Sequence, residues 1–383
     1  MSFDPRRTLR PWSCQYYTEG PEPNRAGIRL PLLQPTDLFI IGGGPAGLAA
    51  AIATRRKGLD VTLADGARPP IDKACGEGLM PDGLAALRSL GVALDSTDAH
   101  PFYGLRFVER GVSVESAFPE GYALGVRRTV LHSRMVKAAA AAGVRMLWGA
   151  PVSGIGPDGV SIAGETVRAR WIAGADGFHS RVRRWAGLAA QPPVNQRFGF
   201  RIHYRIAPWS DYMELHWGPA CQIYVTPVGP WEVCAALISR DRRLRLDEAL
   251  AQFPQLAARL AGAPRATAER GAVTANRSLP RVYRGNVALI GDASGSVDAI
   301  TGEGLCLSFH QAIALAESLA SGDLARYQAA HRRLARRPTL MSRLMLTMDR
   351  RTQLRRSAFR AMAFEPRIFQ TLLSFHLCAH NCS

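Results

Sequence analysis

The residues with the plainest chemical meaning are Gly42, Gly44 and Gly47, set in Ile40-Ile41-Gly42-Gly43-Gly44-Pro45-Ala46-Gly47. At such spacing the first glycine permits a tight turn, the second lets backbone approach a pyrophosphate, and the third lets a helix pack on a strand. The pyrophosphate would sit at the helix start, around Pro45 and Ala46, where unpaired N–H groups and the helix dipole favour anions. Asp65 follows 23 residues after Gly42 and is placed to accept hydrogen bonds from a ribose 2′-hydroxyl. This set describes a dinucleotide site, and on it alone FAD and NAD are indistinguishable.

The elements that must hold these residues are legible around them. Asp37 to Ile41 is a short apolar run of buried parallel-strand type, an Ala-rich helix follows and stops at Lys57-Gly58, and Val61 to Asp65 reads as a second strand. The unit has the size of a βαβ crossover, about 30 residues. A helix from about Thr129 to Ala142, with strands near 145–148 and 167–175, would extend the same sheet. From Gln196 to Ile206, Phe198, Phe200, Ile202, Tyr204 and Ile206 alternate with other residues, the period of a half-buried antiparallel strand. Further strands are expected at 212–217, 221–228 and 231–239, making a second, antiparallel sheet. Asn286 to Ile290 returns to a buried-strand pattern, and the chain after about Gly304 reads as helix.

Three downstream segments narrow the cofactor. Asn286 to Ile290 runs into Gly291-Asp292, and ten residues later Gly302-Glu303-Gly304 opens a helix. Ala173-Gly174-Ala175-Asp176-Gly177 precedes Arg181-Val182-Arg183, and Arg128 is followed by Leu131 and Met135 on one helical face. In this order, from Asp37 to about Gln311, the motifs resemble the group A flavoprotein monooxygenase and geranylgeranyl reductase superfamily. The resemblance implies FAD, with NADH or NADPH as reductant. It puts Asp292 on the ribityl chain, the Gly302–Gly304 helix start against the isoalloxazine ring, and Asp176 near the cofactor and the incoming nicotinamide. Arg128 rather than Arg127 would contact FAD.

The fold it implies is α/β: a glutathione-reductase-like Rossmann FAD-binding domain (37–98, 123–190 and 280–330) with an inserted antiparallel β-sheet substrate domain (99–122 and 191–279). A basic C-terminal helical region spans 331–383. Residues 1–36, with six prolines and no sustained period, are expected to be an irregular extension or an overextended gene start.

The reaction is less sharply marked than the cofactor. Lys73-Ala74-Cys75-Gly76-Glu77-Gly78 resembles the Cys-Gly segment of geranylgeranyl reductases and flavin-dependent halogenases, which approaches the flavin. Cys75 is the candidate for a direct catalytic role, against the alternative of a small buried apolar residue. Lys73 and Gly76 are expected at the cofactor. Ser294-Gly295 stands where aromatic hydroxylases carry Ala-His, and Ala299 where the superfamily generally has Pro. Of the reductases' Tyr-x-Trp-x-Phe-Pro box, only Pro227 is matched, and the halogenase Trp-x-Trp-x-Ile-Pro signature is missing.

Two enzymatic readings follow, oxygen-dependent hydroxylation and reduction of a carbon–carbon double bond, the first leading on superfamily frequency alone. A third reading, a non-catalytic flavin-binding partner protein, is remote. The substrate is expected to be small and apolar or aromatic, from Phe198, Phe200 and Tyr204 on the presumed roof strand. His203, His216 and His310 receive no catalytic label.

Composition bounds the rest. The chain has 383 residues, is 47% hydrophobic and carries a formal net charge of +17, which draws phosphate-bearing cofactors and anionic surfaces. Between Arg332 and Arg360 fall ten Arg against one acid, Asp349. That run reads as a solvated helical face or as peripheral contact with anionic lipid. No zinc-finger, RNP or helix-turn-helix pattern supports nucleic-acid binding. Seven cysteines without a C-x-x-C suit a reducing cytoplasm, and no apolar run is long enough to cross a bilayer. The expected location is cytoplasmic, with possible attachment at the inner face of the membrane. No G-x-S-x-G or H-E-x-x-H occurs, so neither a hydrolase nor a metal site is expected.

Overall fold

The computed structural model describes residues 34–188 and 194–377. Expectations for 1–33, including the irregular extension, and for Cys14, Cys378 and Cys382 lie outside the described residues.

Val, Ile, Leu and Ala fill a parallel sheet whose strand order is Tyr283–Arg284, Val287–Leu289, Ala169–Gly174, Thr36–Ile41, Val61–Asp65, Arg145–Trp148, with only the first strand antiparallel. Both faces are covered, so its strands are continuous apolar runs: Leu38, Phe39, Ile40 and Leu63 are buried. Helix Pro45–Arg55 packs against helix Gly304–Ala320, and its Ala49, Ala50 and Ala51, all buried, allow the close approach. This brings two helix N-termini, from segments far apart in the chain, to the same edge of the sheet.

The second sheet has seven strands, ordered Arg270–Asn276, Val194–Tyr204, Glu232–Ser239, Cys221–Gly229, Tyr212–Trp217, Gly104–Glu109, Val112–Ala117. Only the pairing of Tyr212–Trp217 with Gly104–Glu109 is parallel. Two of its strands, Gly104–Glu109 and Val112–Ala117, come from far earlier in the chain than the other five. Ala99–Phe102 and Ala123–Val126 join Gly78–Leu79 in a separate three-stranded sheet. A further meander, Val152–Gly156, Gly159–Ile162 and Glu165–Val167, was not legible from periodicity because its strands are only three to five residues long.

Helices Leu324–Arg350, Thr352–Phe364 and Pro366–Leu377 are the last elements among the described residues. Met341, Met345, Phe359, Phe369 and Leu373 pack with Leu105, Leu215 and Trp217 of the seven-stranded sheet in one core. The apolar faces of these helices therefore pack on the protein's own sheet. Leu340, Leu344, Leu354 and Phe364 remain exposed on the outer faces.

His331 ties the first of these helices to the loop after Asp292. Its Nε2 lies 2.9 Å from Ser294 Oγ, and burial pushes the imidazole from 6.5 to about 4. The unfolded chain takes up this proton near pH 6.5 and the folded chain only near pH 4, so stability falls as pH drops between those values. The span corresponds to about 3 kcal/mol. In urea unfolding followed from pH 7 to 4, His331→Gln should give a flatter acid limb than the wild type; parallel limbs would contradict this assignment.

Candidate active site

The glycine turn shows why each glycine is where it is. Gly42 has φ +116°, and a Cβ there would lie 2.4 Å from Ala175 O; one on Gly47 would lie 1.9 Å from Gly42 O. Gly44 differs, because its Cβ would meet nothing within 4 Å and would project into a cleft. Asp65 Oδ2 accepts from Gly43 N at 2.6 Å, so the acid closing the βαβ unit also fixes the turn. Behind it, buried His132 donates from Nε2 to Gly43 O at 2.8 Å, while Ile71 N donates to its Nδ1. Burial, aided by Arg128, holds His132 below its ordinary pKa, which suits this neutral tautomer. Sequence reasoning missed His132, although it lies one turn after Arg128 on the same helix.

The cleft has a volume of 380 Å³ and runs between the two large sheets. Gly44, Pro45, Ala46, Asp65, Lys73, Cys75, Gly76, Arg128, Asp176, Asp292, Gly302 and Gly304 all line it. Gly42, Gly47, Gly291 and Glu303 do not. The first three shape the backbone: a Cβ on Gly291, which has φ +58°, would press on Ala46 at 2.8 Å. Glu303, the residue preceding helix Gly304–Ala320, is buried with its Oε1 3.4 Å from His376 Nδ1. Its side chain belongs to a different neighbourhood from the cofactor contact expected of it.

Charge around the cleft is arranged for an anionic, polyhydroxylated ligand. Lys73 Nζ lies 2.9 Å from Asp292 Oδ2. Burial opposes ionisation of Asp292, but Lys73, Arg128 and Arg277 outweigh it and hold the carboxyl below its ordinary value. Asp176 accepts from the amides of Arg181 and Val182 at 2.6 and 3.0 Å through Oδ2, at the start of the short helix Arg181–Trp185. Its Oδ1 and the Nε of Arg128 are buried without a hydrogen-bond partner in the protein. Such atoms are costly unless a ligand satisfies them. The open space at Gly44, these two polar atoms and the two helix starts together fit a flavin dinucleotide.

A network that the sequence did not disclose underlies the Cys-Gly segment. Glu77, at φ +59° and 2% exposed, accepts from Arg128 N at 2.9 Å through Oε1. Its Oε2 is 2.6 Å from His203 Nε2. Arg201 Nη2 donates to both oxygens of Asp72 and its Nη1 lies 3.7 Å from Glu77. Thr226 Oγ1 donates to Gly76 O at 2.7 Å. These contacts fix the backbone that carries Cys75 into the cleft.

Of the three aromatic residues expected on the roof strand, Phe200 lines the cleft, whereas Tyr204 is buried in the core beyond it. His203 and Glu77 are buried partners, and His216 pairs with Glu214 at 2.9 Å within strand Tyr212–Trp217.

A parallel sheet with a glycine turn, a ribose acid and a second helix start converging on a cleft defines a dinucleotide-binding flavoprotein. The FAD binding domain family matches residues 35–335, and the chain belongs to it as an FAD-dependent oxidoreductase. A menaquinone reductase of Mycolicibacterium smegmatis is 31% identical over 77% of this chain and 78% of its own. A digeranylgeranylglycerophospholipid reductase of Thermoplasma acidophilum is 27% identical over 70% and 74%. Two monooxygenases match over 46% and 40% of this chain. In fold, a flavin-dependent brominase superposes with a TM-score of 0.77 over 91% of this chain and 94% of its own, at 19% identity.

Proposed function

We propose that this enzyme uses NADH or NADPH to reduce a carbon–carbon double bond in the hydrocarbon part of a prenylated quinone or lipid. The observation that carries the reading is the chemistry of the cleft wall opposite Gly44. Met80, Met213, Leu237, Ile238 and Val273 supply it with apolar surface. Two of its hydroxyls donate within the protein, Tyr224 OH to Ile300 O and Ser296 Oγ to Ala275 O, and Thr274 Oγ1 accepts from Ala299 N. A wall of this kind suits an isoprenoid chain, which needs burial and no hydrogen-bond partner. A phenolic substrate would instead want a free donor or acceptor. The likeness to two reductases, over 77% and 70% of this chain, supports the same choice over hydroxylation, the reading that superfamily frequency alone favoured.

In this reading Gly44, Pro45, Ala46, Asp65, Arg128, Asp176 and Asp292 would hold FAD, which would pass the two electrons of NADH or NADPH to the double bond. Arg128 Nε and Asp176 Oδ1 would gain the partners they lack in the protein. The apolar wall orients the alkene and excludes water. Cys75, whose segment is held by the Thr226–Gly76 and Glu77–Arg128 bonds, would give the proton from its thiol and take one back from solvent.

Cys75→Ala should keep its flavin and lose about 100-fold in anaerobic reduction of a prenylated quinone. Cys75→Ser should recover part of that loss. Product analysis after anaerobic turnover reads the outcome, and unchanged turnover in Cys75→Ala would remove the thiol from the mechanism.

A lipid substrate also gives a role to the exposed Leu340, Leu344, Leu354 and Phe364 among the C-terminal arginines. Peripheral contact with anionic lipid is proposed there, and no helix among the described residues is long and apolar enough to cross a membrane.

A further inference from the structure

The short turn Ala299–Thr301, which leads into Gly302 at the cleft wall, is held by side chains of the C-terminal helices. At its start, Asp298 N donates to Asn276 Oδ1 at 2.8 Å, and the same oxygen accepts from Ser342 Oγ of helix Leu324–Arg350 at 3.1 Å. Asp349, two turns further along that helix, accepts from Gln222 Nε2, while Gln222 Oε1 accepts from Arg197, which grips Asp298. At the end of the turn, His376 of helix Pro366–Leu377 donates from Nε2 to Thr301 O at 3.2 Å, and its Nδ1 lies 3.4 Å from Glu303 Oε1. Ser342, Asp349 and His376 are all buried.

Other side chains of these helices, and of helix Thr352–Phe364 between them, face solvent. Leu340 and Leu344, one turn apart, and Phe364, Ile368 and Phe375 are large apolar groups between 39% and 93% exposed. The Arg337 guanidinium stacks over the Phe375 ring, 5.4 Å from its centroid, which sets the outer stripe of one helix beside that of the other. Arg333, Arg336, Arg343, Arg360 and Arg367 are exposed as well, and Glu365 is the one exposed acid from 331 to 377. Apolar groups interleaved with cations match a partner that is anionic at its surface and apolar beneath, as an anionic bilayer is.

We propose that an anionic lipid bilayer, bound on these outer faces, tightens the hold on FAD through the turn Ala299–Thr301. The inference rests on the lipid contact proposed above and adds its consequence for the flavin site. Docking immobilises the helices, and with them the Ser342, Asp349 and His376 side chains that fix the turn. FAD in the cleft would order the same turn from the side of Gly302. Two ligands that order one element favour each other, because the second finds part of the ordering already done. The contacts that carry this are contiguous hydrogen bonds from buried helix faces to the cleft wall, and none of them touches the reacting atoms. The enzyme would then hold its flavin most firmly where a lipid substrate lies.

The test mixes flavin-loaded protein with vesicles containing phosphatidylglycerol, and with pure phosphatidylcholine vesicles as the neutral control. Sedimentation reads vesicle binding, and the fluorescence of flavin released on dilution reads FAD affinity. Phosphatidylglycerol vesicles should bind the protein and raise its FAD affinity at least about fivefold. Arg336→Gln combined with Arg343→Gln should weaken vesicle binding about thirtyfold, about fivefold for each arginine. His376→Phe, and the milder Ser342→Ala, should bind vesicles as the wild type does and lose most of the gain in FAD affinity. Retained flavin and circular dichroism report whether each variant folds. A wild type that stays in the supernatant, or a face that instead pairs two copies of the chain and is released by Phe364→Ser, would overturn the docking. Vesicle binding with unchanged FAD affinity, or an equal gain in both variants, would overturn the coupling and leave the lipid contact standing. Neither readout involves turnover, so failure of the reductase reading would appear in product analysis alone.

Discussion

Gly44→Val should yield a folded and colourless protein. Gly44 has φ −72° and ψ 176°, an extended conformation open to any residue, and no atom stands within 4 Å of where its Cβ would go. The backbone thus accepts a side chain, while the side chain occupies the space where the pyrophosphate approaches the helix start. Affinity for FAD should fall at least ~100-fold, equivalent to about 2.7 kcal/mol. Circular dichroism should be unchanged, and flavin absorbance after gel filtration should be lost. Gly47→Ala separates binding from folding in the opposite sense. Its Cβ would sit 1.9 Å from Gly42 O, so that variant should lose stability along with flavin. A yellow Gly44→Val holoprotein would contradict the location of the cofactor.

Arg197→Met should cost the most stability of any single change considered. Arg197 is 1% exposed, and Asp298 is fully buried. The guanidinium donates from Nε to Asp298 Oδ2 at 3.1 Å, pairs with Oδ1 through Nη2, and donates to Gln222 Oε1 at 2.6 Å. Asp349 of the long C-terminal helix joins the network through Gln222 and Arg240.

Removing the arginine leaves Asp298 charged and dry, at a cost of about 3–5 kcal/mol. Asp298 also accepts from Ile300 N and caps the short turn carrying Ala299, so the cleft wall should loosen and flavin affinity fall as well. Adding Asp298→Asn should recover much of the loss, since the amide oxygen can still accept from Ile300 N. Urea unfolding measures both effects, and a midpoint shift worth less than about 0.5 kcal/mol would show that the pair carries no such weight.

The nucleotide-binding half of the fold was legible because its rules are local. Gly42, Gly44 and Gly47 lie between a strand and a helix, Asp65 ends the next strand, and each signal sits within one βαβ unit. The seven-stranded sheet was legible in its elements but misleading in its faces. Alternation from Phe198 to Ile206 implied an apolar face inward and a polar face outward. Instead Arg197, Arg201 and His203 are all buried, because Asp298, Asp72 and Glu77 from distant segments neutralise or bond them.

Periodicity scores a charged residue as exposed and carries no information about a partner 101 or 129 residues away. Glu77 was hidden for the same reason: between two glycines it read as part of a loop, and only the folded chain brings Arg128 and His203 to it. The C-terminal arginines show the converse case. Arg355 is 1% exposed and bound to Glu109, so the basic run is not uniformly a surface feature.

The most direct test of the proposed reaction is a single turnover under strict exclusion of oxygen. Enzyme whose flavin has been reduced by one equivalent of NADPH, or of NADH, is mixed with a prenylated quinone already in its reduced, quinol form. Using the quinol removes the simple route by which a quinone head would take the electrons. Flavin colour and product mass are then followed. Return of the yellow colour together with a product heavier by two hydrogens in its isoprenoid chain is the predicted result. Flavin that stays bleached until oxygen is admitted, and then yields a product carrying an added oxygen atom, would contradict the reductase assignment and make the enzyme a monooxygenase.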